Sequence, residues 1–221
     1  MKIAVLGTGS VGRAIAGAFA GIGHDVTVGT RDPAATRART EPGTFSGWHA
    51  DHPDVGLASF GEVAASADLV VNATNGAASI PALEATGESN LAGKVVIDIA
   101  NPLDASRGMP PSLSVSNTDS LAEQIQRRFP DARVVKTLNT VNASVMVDPG
   151  GLAGGDHTVF VSGDDQAAKQ HVAELLRSLG WSDILDLGDL STARGAEMYL
   201  PLWLRLYSVL QTPAFSIKVV R

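Results

Sequence analysis

Cysteine is absent from all 221 residues. Its absence excludes disulfides, thiolate zinc sites and thiol nucleophiles together. An excess of positive charge is also missing. The formal net charge is −6, so nothing invites nucleic acid or an anionic membrane surface. No apolar run reaches the roughly 18 residues that would suggest a membrane span. There is no internal repeat and no low-complexity segment. The first apolar run begins beside Lys2, leaving no room before it for a leader, and the expectation is a cytoplasmic protein. At 44% hydrophobic residues the chain can build one well-cored globular unit.

The chain opens instead on a dense signal. Ile3 to Leu6 is an apolar run that leads into Gly7-Thr8-Gly9-Ser10-Val11-Gly12. Ile15, Ala16, Phe19 and Ile22 follow at helical spacing. Strand, glycine turn and helix in this order cradle a dinucleotide pyrophosphate. Gly7 permits the tight turn, Gly9 lets the backbone approach the phosphates, and Gly12 lets helix and strand pack closely. The helix N-terminus adds free N–H groups and a partial positive charge.

Which dinucleotide is bound depends on the end of the next strand. An NAD-binding unit places Asp or Glu there, about 20 residues on, to accept from the ribose hydroxyls. Asp25 to Gly29 reads as that strand, and Thr30-Arg31 follows it. A hydroxyl and a guanidinium favour a 2′-phosphate, because Arg bonds phosphate through two prongs and keeps its charge. Arg31 can also stack on the adenine, and Arg37 and Arg39 add positive potential further along. Asp32 has two readings: a ribose acceptor for NAD, or the N-cap of a helix starting at Pro33. The balance favours NADP(H).

Beyond this unit, strands alternate with helical patterns. Strands are expected at Val55–Ser59, Asp68–Asn72, Lys94–Asp98, Arg133–Lys136, Thr158–Val161 and Asp183–Asp186. Helices are expected near Glu62–Ala67, Leu121–Phe129 and Gln166–Leu179. Alternation of this kind means a doubly wound, mostly parallel α/β sheet, and near-continuous Val/Ile runs mean both faces are covered. Gly150 to Gly155 reads as a flexible loop. Ligands bind such sheets outside the carboxyl ends of the strands. Those ends carry Thr74-Asn75, Asn101-Pro102, and Asn139-Thr140-Val141-Asn142. Each has a second reading as a helix cap or turn residue, but together they mark a site. Lys136 is read as a strand lysine, and no residue is assigned a catalytic or metal-binding role.

Four segments taken together resemble a known family. Gly7-Thr-Gly-Ser-Val-Gly12, Gly29-Thr-Arg31, Asn101-Pro-Leu103 and Val135-Lys-Thr-Leu-Asn-Thr-Val-Asn-Ala143 look like the NADPH-dependent oxidoreductases of the deazaflavin coenzyme F420. The reductase domain of the six-transmembrane metalloreductases is similar. The resemblance implies a Rossmann-type fold, a homodimer, and hydride transfer between NADP(H) and the deazaflavin with the two rings stacked. It implies that Thr8, Gly9, Ser10, Val11, Thr30 and Arg31 hold NADP, with Thr74, Asn75 and Asn139 near the nicotinamide half. Where relatives carry a further basic residue this chain has Ala35, and Arg37 stands in for it. Catalysis of this type is mostly positioning of two ring systems. The alternatives are a reductase of a flavin, imine or carbonyl compound, or a non-catalytic NADP sensor.

Two segments fall outside the resemblance or extend it. The stretch Glu41–Asp54, with His49 and His52, reads as a solvated loop, with a metal site or a lid over the second substrate as alternatives. Residues 1–190 are taken as the NADP-binding unit and 191–221 as an apolar helix and tail. Ala193 to Gln211 is apolar nearly all round, and Pro201 should restart it. It is read either as a dimer face or as a helix packed on its own sheet.

Overall fold

The valine- and isoleucine-rich runs form the strands, as their pattern requires. The computed structural model describes residues 1–221. In chain order the elements are β1 (Lys2–Leu6), α1 (Ser10–Gly21), β2 (Asp25–Thr30), α2 (Pro33–Ala38), α3 (Phe45–His49), β3 (Gly56–Ser59), α4 (Phe60–Ser66), β4 (Leu69–Asn72) and α5 (Gly76–Glu84). The second half contains β5 (Val95–Asp98), β6 (Leu103–Asp104), β7 (Ser112–Leu113), α6 (Leu121–Arg128), β8 (Arg133–Thr137) and α7 (Ala143–Val147). It closes with β9 (Thr158–Ser162), α8 (Gln166–Ser178), β10 (Asp183–Gly188), α9 (Ala193–Met198) and α10 (Leu200–Leu210).

Eight strands make one sheet in the order β10-β9-β8-β5-β4-β1-β2-β3. The pairings from β8 through β3 are all parallel, with Leu6 opposite Gly29 on one side and Asn72 on the other. β9 runs antiparallel to β8. A parallel return needs a crossover that spans the sheet, usually on a full helix. The β8–β9 connection holds only the five-residue α7 and two 3₁₀ turns at Pro149–Gly151 and Ala153–Gly155, so the chain doubles back instead. Those turns occupy the stretch read from sequence as a flexible loop.

Helices cover both faces. One core packs Ile15 and Phe19 of α1, Val145 of α7 and Val172 of α8 against Val5, Val71 and Val135. The other packs Phe60 and Val63 of α4, Ile125 of α6 and Ala193 of α9 against Leu6, Val70 and Val134. Caps fix the helix starts. Asp32 Oδ1 accepts from Ala35 N at 2.9 Å, Asn75 Oδ1 from Ala77 N at 3.1 Å and Asn142 Oδ1 from Val145 N at 3.0 Å. Asp32 is thus the N-cap of α2, one of its two expected readings. Pro201 opens α10 one residue after α9 yields to Tyr199, as its missing N–H predicts.

The tail beyond α10 folds back on β9. Thr158 N donates to Ile217 O at 2.9 Å, Lys218 pairs with Asp183 at 3.0 Å, and Arg221 pairs with it at 2.7 Å. No helix is long and apolar enough to cross a membrane.

Candidate functional site

β1 lies between β2 and β4, where the order of strand connections reverses. The turns after β1 and β4 therefore splay apart and leave a crevice at the carboxyl ends of the strands. Gly7, at φ 117°, makes the turn out of β1, and its N–H donates to Gly29 O at 3.0 Å. A Cβ at Gly12 would sit 2.0 Å from Gly7 O, so helix and turn touch only because Gly12 has no side chain, and a Cβ at Gly7 would sit 2.6 Å from Ala73 O. Gly9 differs from these two. A Cβ there would meet nothing within 4 Å, so no protein atom requires its smallness. The open space lies at the N-terminus of α1, which has no side-chain cap and no acid in its first turn. A helix start left uncapped beside open space fits the pyrophosphate of a dinucleotide.

A cleft of about 660 Å³ runs from Gly7, Thr8 and Gly9 past Thr30, Arg31 and Arg39 to Thr74 and Asn75. Arg31 is exposed at its edge and free of ion pairs within the chain. Thr30 Oγ1 shares a hydrogen bond with Thr36 Oγ1 at 3.0 Å. Arg37 is elsewhere: its guanidinium donates to Leu57 O at 2.8 Å and it does not line the cleft. The place expected for Arg37 falls to Arg39, just past the end of α2. Gly29, in β2, is required by packing. The space a Cβ would need is held by Val63, Leu6 and Phe60 at 2.9 to 3.0 Å.

A second cavity of about 260 Å³ opens from the same three residues, Ala73, Thr74 and Asn75. Val11, Ile99, Leu103, Val141, Met146, Leu200 and Trp203 supply apolar walls, and Asn101, Asn139 and Asn142 supply neutral amides. No titratable side chain lines it. Two of the amides form a closed pair. Asn139 Nδ2 donates to Asn101 Oδ1 at 2.9 Å, and Asn101 Nδ2 donates to Asn139 O at 3.0 Å. Leu138, at φ 60°, turns the chain out of β8 just before this pair. Such backbone conformations are costly for a side chain with a Cβ and tend to collect at ligand sites. Thus Gly7, Thr8, Gly9, Thr30, Arg31, Thr74 and Asn75 share the larger cleft. Val11, Asn101 and Asn139 fall in the smaller cavity, while Ser10 and Gly12 shape the loop without lining either.

Beneath the second cavity lies a group that the sequence left unassembled. Lys136 Nζ is 2.8 Å from Asp98 Oδ2 and 2.8 Å from Glu197 Oε1, and it also donates to Ala100 O. Burial works against the charge of Lys136, but Asp98 and Glu197 override it and hold the ammonium above the ordinary lysine range. Burial pushes Glu197 up from the usual carboxylate range, with Lys136 pulling it back and Asp98 adding to the rise. The signal was present in sequence as a lysine inside a Val-Val-Lys strand and a glutamate inside an apolar helix, each needing a partner.

The 41–54 stretch is not at the site. None of its residues lines either cavity. Trp48 and His52 stack at 4.1 Å and lie against Gly17 of α1. Arg13 ties the stretch down, donating to Gly43 O and to Thr44 O at 2.6 Å. The lid reading is thereby overturned. Phe45, the first residue of α3, is buried and anchors the stretch, while most of its other residues stay exposed to solvent.

The comparisons agree with this geometry. Residues 2–102 match the family described as NADP oxidoreductase coenzyme F420-dependent. The F420-dependent NADP reductase of Methanothermobacter thermautotrophicus is 30% identical over 211 residues, covering 93% of this chain and 89% of that one. Metalloreductase STEAP3 of Rattus norvegicus is 30% identical over 206 residues, 91% of this chain, which spans only 38% of the rat protein. A crystal structure provisionally named as an F420-dependent NADP-reductase, from Arthrobacter sp. FB24, superposes with TM-score 0.98 at 66% identity over 100% of both chains. With a glycine turn at an uncapped helix start, an arginine at the end of β2, and a relative matched across nearly the whole of both chains, the chain belongs to the coenzyme F420-dependent NADP oxidoreductase family.

Proposed function

We propose that this oxidoreductase moves a hydride between NADP(H) and the deazaflavin coenzyme F420, each held in one arm of the crevice. The observation that carries this is the second cavity. It is apolar, bordered by neutral amides, free of titratable groups, and continuous with the cofactor cleft at Ala73, Thr74 and Asn75. Reduction of a ketone would ask for a proton donor beside the carbonyl, and these walls offer none. A flat ring that accepts hydride face to face asks for position and exclusion of water, which such walls provide.

NADPH, when bound, would supply the hydride, and reduction of the deazaflavin would also consume one proton from solvent. The chain's part is to hold and orient. The N–H groups at the start of α1 and the turn Gly7 to Gly12 take the pyrophosphate. Thr30 and Arg31 take the 2′-phosphate, with Arg39 adding charge. Thr74 and Asn75 hold the nicotinamide half at the junction of the two arms, and the Asn101–Asn139 pair fixes the floor of the second arm. Residues 1–190 form the NADP-binding unit, and 191–221 supply a wall of the second arm through Leu200 and Trp203.

The outer face of that last segment is the dimer contact. Leu202 is 55% exposed, Tyr207 44%, Val209 79% and Leu210 50%, a continuous apolar helix surface that a second copy would cover. The deciding experiment follows NADPH oxidation at 340 nm with and without the deazaflavin. Turnover only with the deazaflavin supports the reading. NADPH binding without turnover, or equal turnover with free flavins and imines, overturns it.

A further inference from the structure

The C-terminal wall of the second cavity is fastened to its floor through buried charge. Side-chain exposures are 0% for Lys136, 0% for Asp98 and 2% for Glu197. The three donors of Lys136 go to three different places: Asp98 at the end of β5, Ala100 O in the floor of the cavity, and Glu197 in α9. With all three protons committed, Lys136 has none to give to a ligand, and it lines neither cavity. Its role is mechanical.

The connections run on in both directions. Asp98 Oδ1 accepts from Asn72 Nδ2 at 2.8 Å, and Asn72 Oδ1 accepts from the Thr74 hydroxyl at 2.7 Å. Thr74 is one of the residues shared by the two arms. On the other side, Glu197 accepts from the backbone N–H groups of Leu121 and Ala122 at 2.8 and 3.2 Å, at the start of α6. The residue before it, Ala196, accepts at its carbonyl from Asn139 Nδ2 at 3.0 Å. Two consecutive residues of α9 are thus bonded to the strand ends. Leu200 and Trp203, the wall residues, follow within two turns of Glu197.

Nothing polar holds Trp203 itself. Its Nε1 is buried without a hydrogen-bond partner, and its ring stacks on Phe215 at 5.1 Å and on Tyr207 at 5.7 Å. Phe215 and Tyr207 lie in the same C-terminal segment, so the three rings form one block. That block's height above the floor is set where α9 is fastened. Apolar packing alone would let α9 slide at small cost. Bonds from a buried ammonium have fixed length and direction, and breaking them leaves charge unpaired in the interior.

We propose that Glu197 is a positioning residue for the hydride acceptor. Through Lys136 it sets the gap between the floor at Ala100–Asn101 and the Leu200–Trp203 wall, and so the thickness of ring the second arm admits. This rests on the reading of the second cavity as the acceptor site.

The test is Glu197→Gln, near-isosteric but uncharged, in protein labelled with 5-fluorotryptophan. The three tryptophans give three fluorine resonances, and Trp203→Phe assigns the one of interest. The expected result is a KM for the deazaflavin raised about tenfold, from loss of a charge-assisted bond, with kcat and NADPH affinity nearly unchanged. The Trp203 resonance should shift or broaden in NADP-loaded protein, while those of Trp48 and Trp181 stay in place. A wild-type KM with an unmoved Trp203 resonance overturns the proposal. So does an equal loss of NADPH and acceptor binding, which marks a merely structural role. If Glu197→Gln does not fold, Glu197→Asp, which keeps the charge beside Lys136 but shortens its reach by one methylene, must give the same split. Absence of deazaflavin turnover in the wild type counts against the functional reading. An unmoved fluorine resonance counts against this inference alone.

Discussion

The two arms of the crevice are built in opposite ways. The NADP arm is more local: Gly7 to Gly9 and Gly29 to Arg39 line one side of it within the first 40 residues, and Phe60, the end of β4 and α5 line the other. The acceptor arm draws on five separated stretches, around Val11, Thr74, Asn101, Asn139 and Trp203. The first is held by backbone geometry and an exposed arginine. The second is held by buried polar groups whose partners lie on other elements. A local site tolerates change elsewhere in the fold, whereas an assembled site depends on every fastening.

The largest effect expected from that contrast falls under the acceptor arm. Lys136→Met leaves Asp98 and Glu197 facing each other without a counter-charge, which should cost about 3–5 kcal/mol of stability. Urea unfolding measures it, and a loss below 1 kcal/mol would show that the trio is not the fastening described. Arg31→Ala strikes the other arm. It should weaken NADPH by about 2 kcal/mol, as loss of a charge-assisted pair does, leaving NADH and the unfolding midpoint of the apoprotein unchanged. Isothermal titration separates the two cofactors, and equal losses would remove Arg31 from the phosphate.

Smaller effects sharpen the comparison. Leu202→Asp with Val209→Asp should convert a dimer to a monomer by light scattering at micromolar concentration, with NADPH affinity retained. Acid should also loosen the tail behind the acceptor arm. Asp183 is held at about 2 by the Thr158 hydroxyl and by Lys218 and Arg221, with burial working the other way. A depressed carboxylate contributes stability that is present above its unfolded value of 3.8 and is lost as pH falls toward 2. Protection of the Thr158 amide, which is bonded to Ile217 O, should decline over that window, and Asp183→Asn should show the decline already at pH 5. The smallest contrast is between two arginines. Arg39→Ala should weaken NADPH by about 0.5 kcal/mol, the scale of an exposed charge pair, and Arg37→Ala should leave it unchanged.

How far each arm was legible follows from the same contrast. The turn at Gly7, the close approach at Gly12 and the place of Thr30 and Arg31 at the end of β2 could be read because they depend on neighbours a few residues away. Arg37 could not be told from Arg39, since α2 ends between them and the choice depends on where Leu57 O lies. Asn101 and Asn139 were legible as strand-end amides, but not as a mutual pair. The packing of the 41–54 stretch on α1 depended on the absence of a side chain at Gly17, which no local pattern announces.

The amino-acid order by itself determined the alternating strands and helices, the glycine turn out of β1 and the exposed arginine at the end of β2, because bond geometry, periodicity and a fixed guanidinium charge act over short stretches of chain. Tertiary structure alone decided the acceptor arm. Buried charges such as Lys136 and Glu197 are tolerable only when opposite charge meets them, and the chain brings that charge from strands and helices far away in sequence.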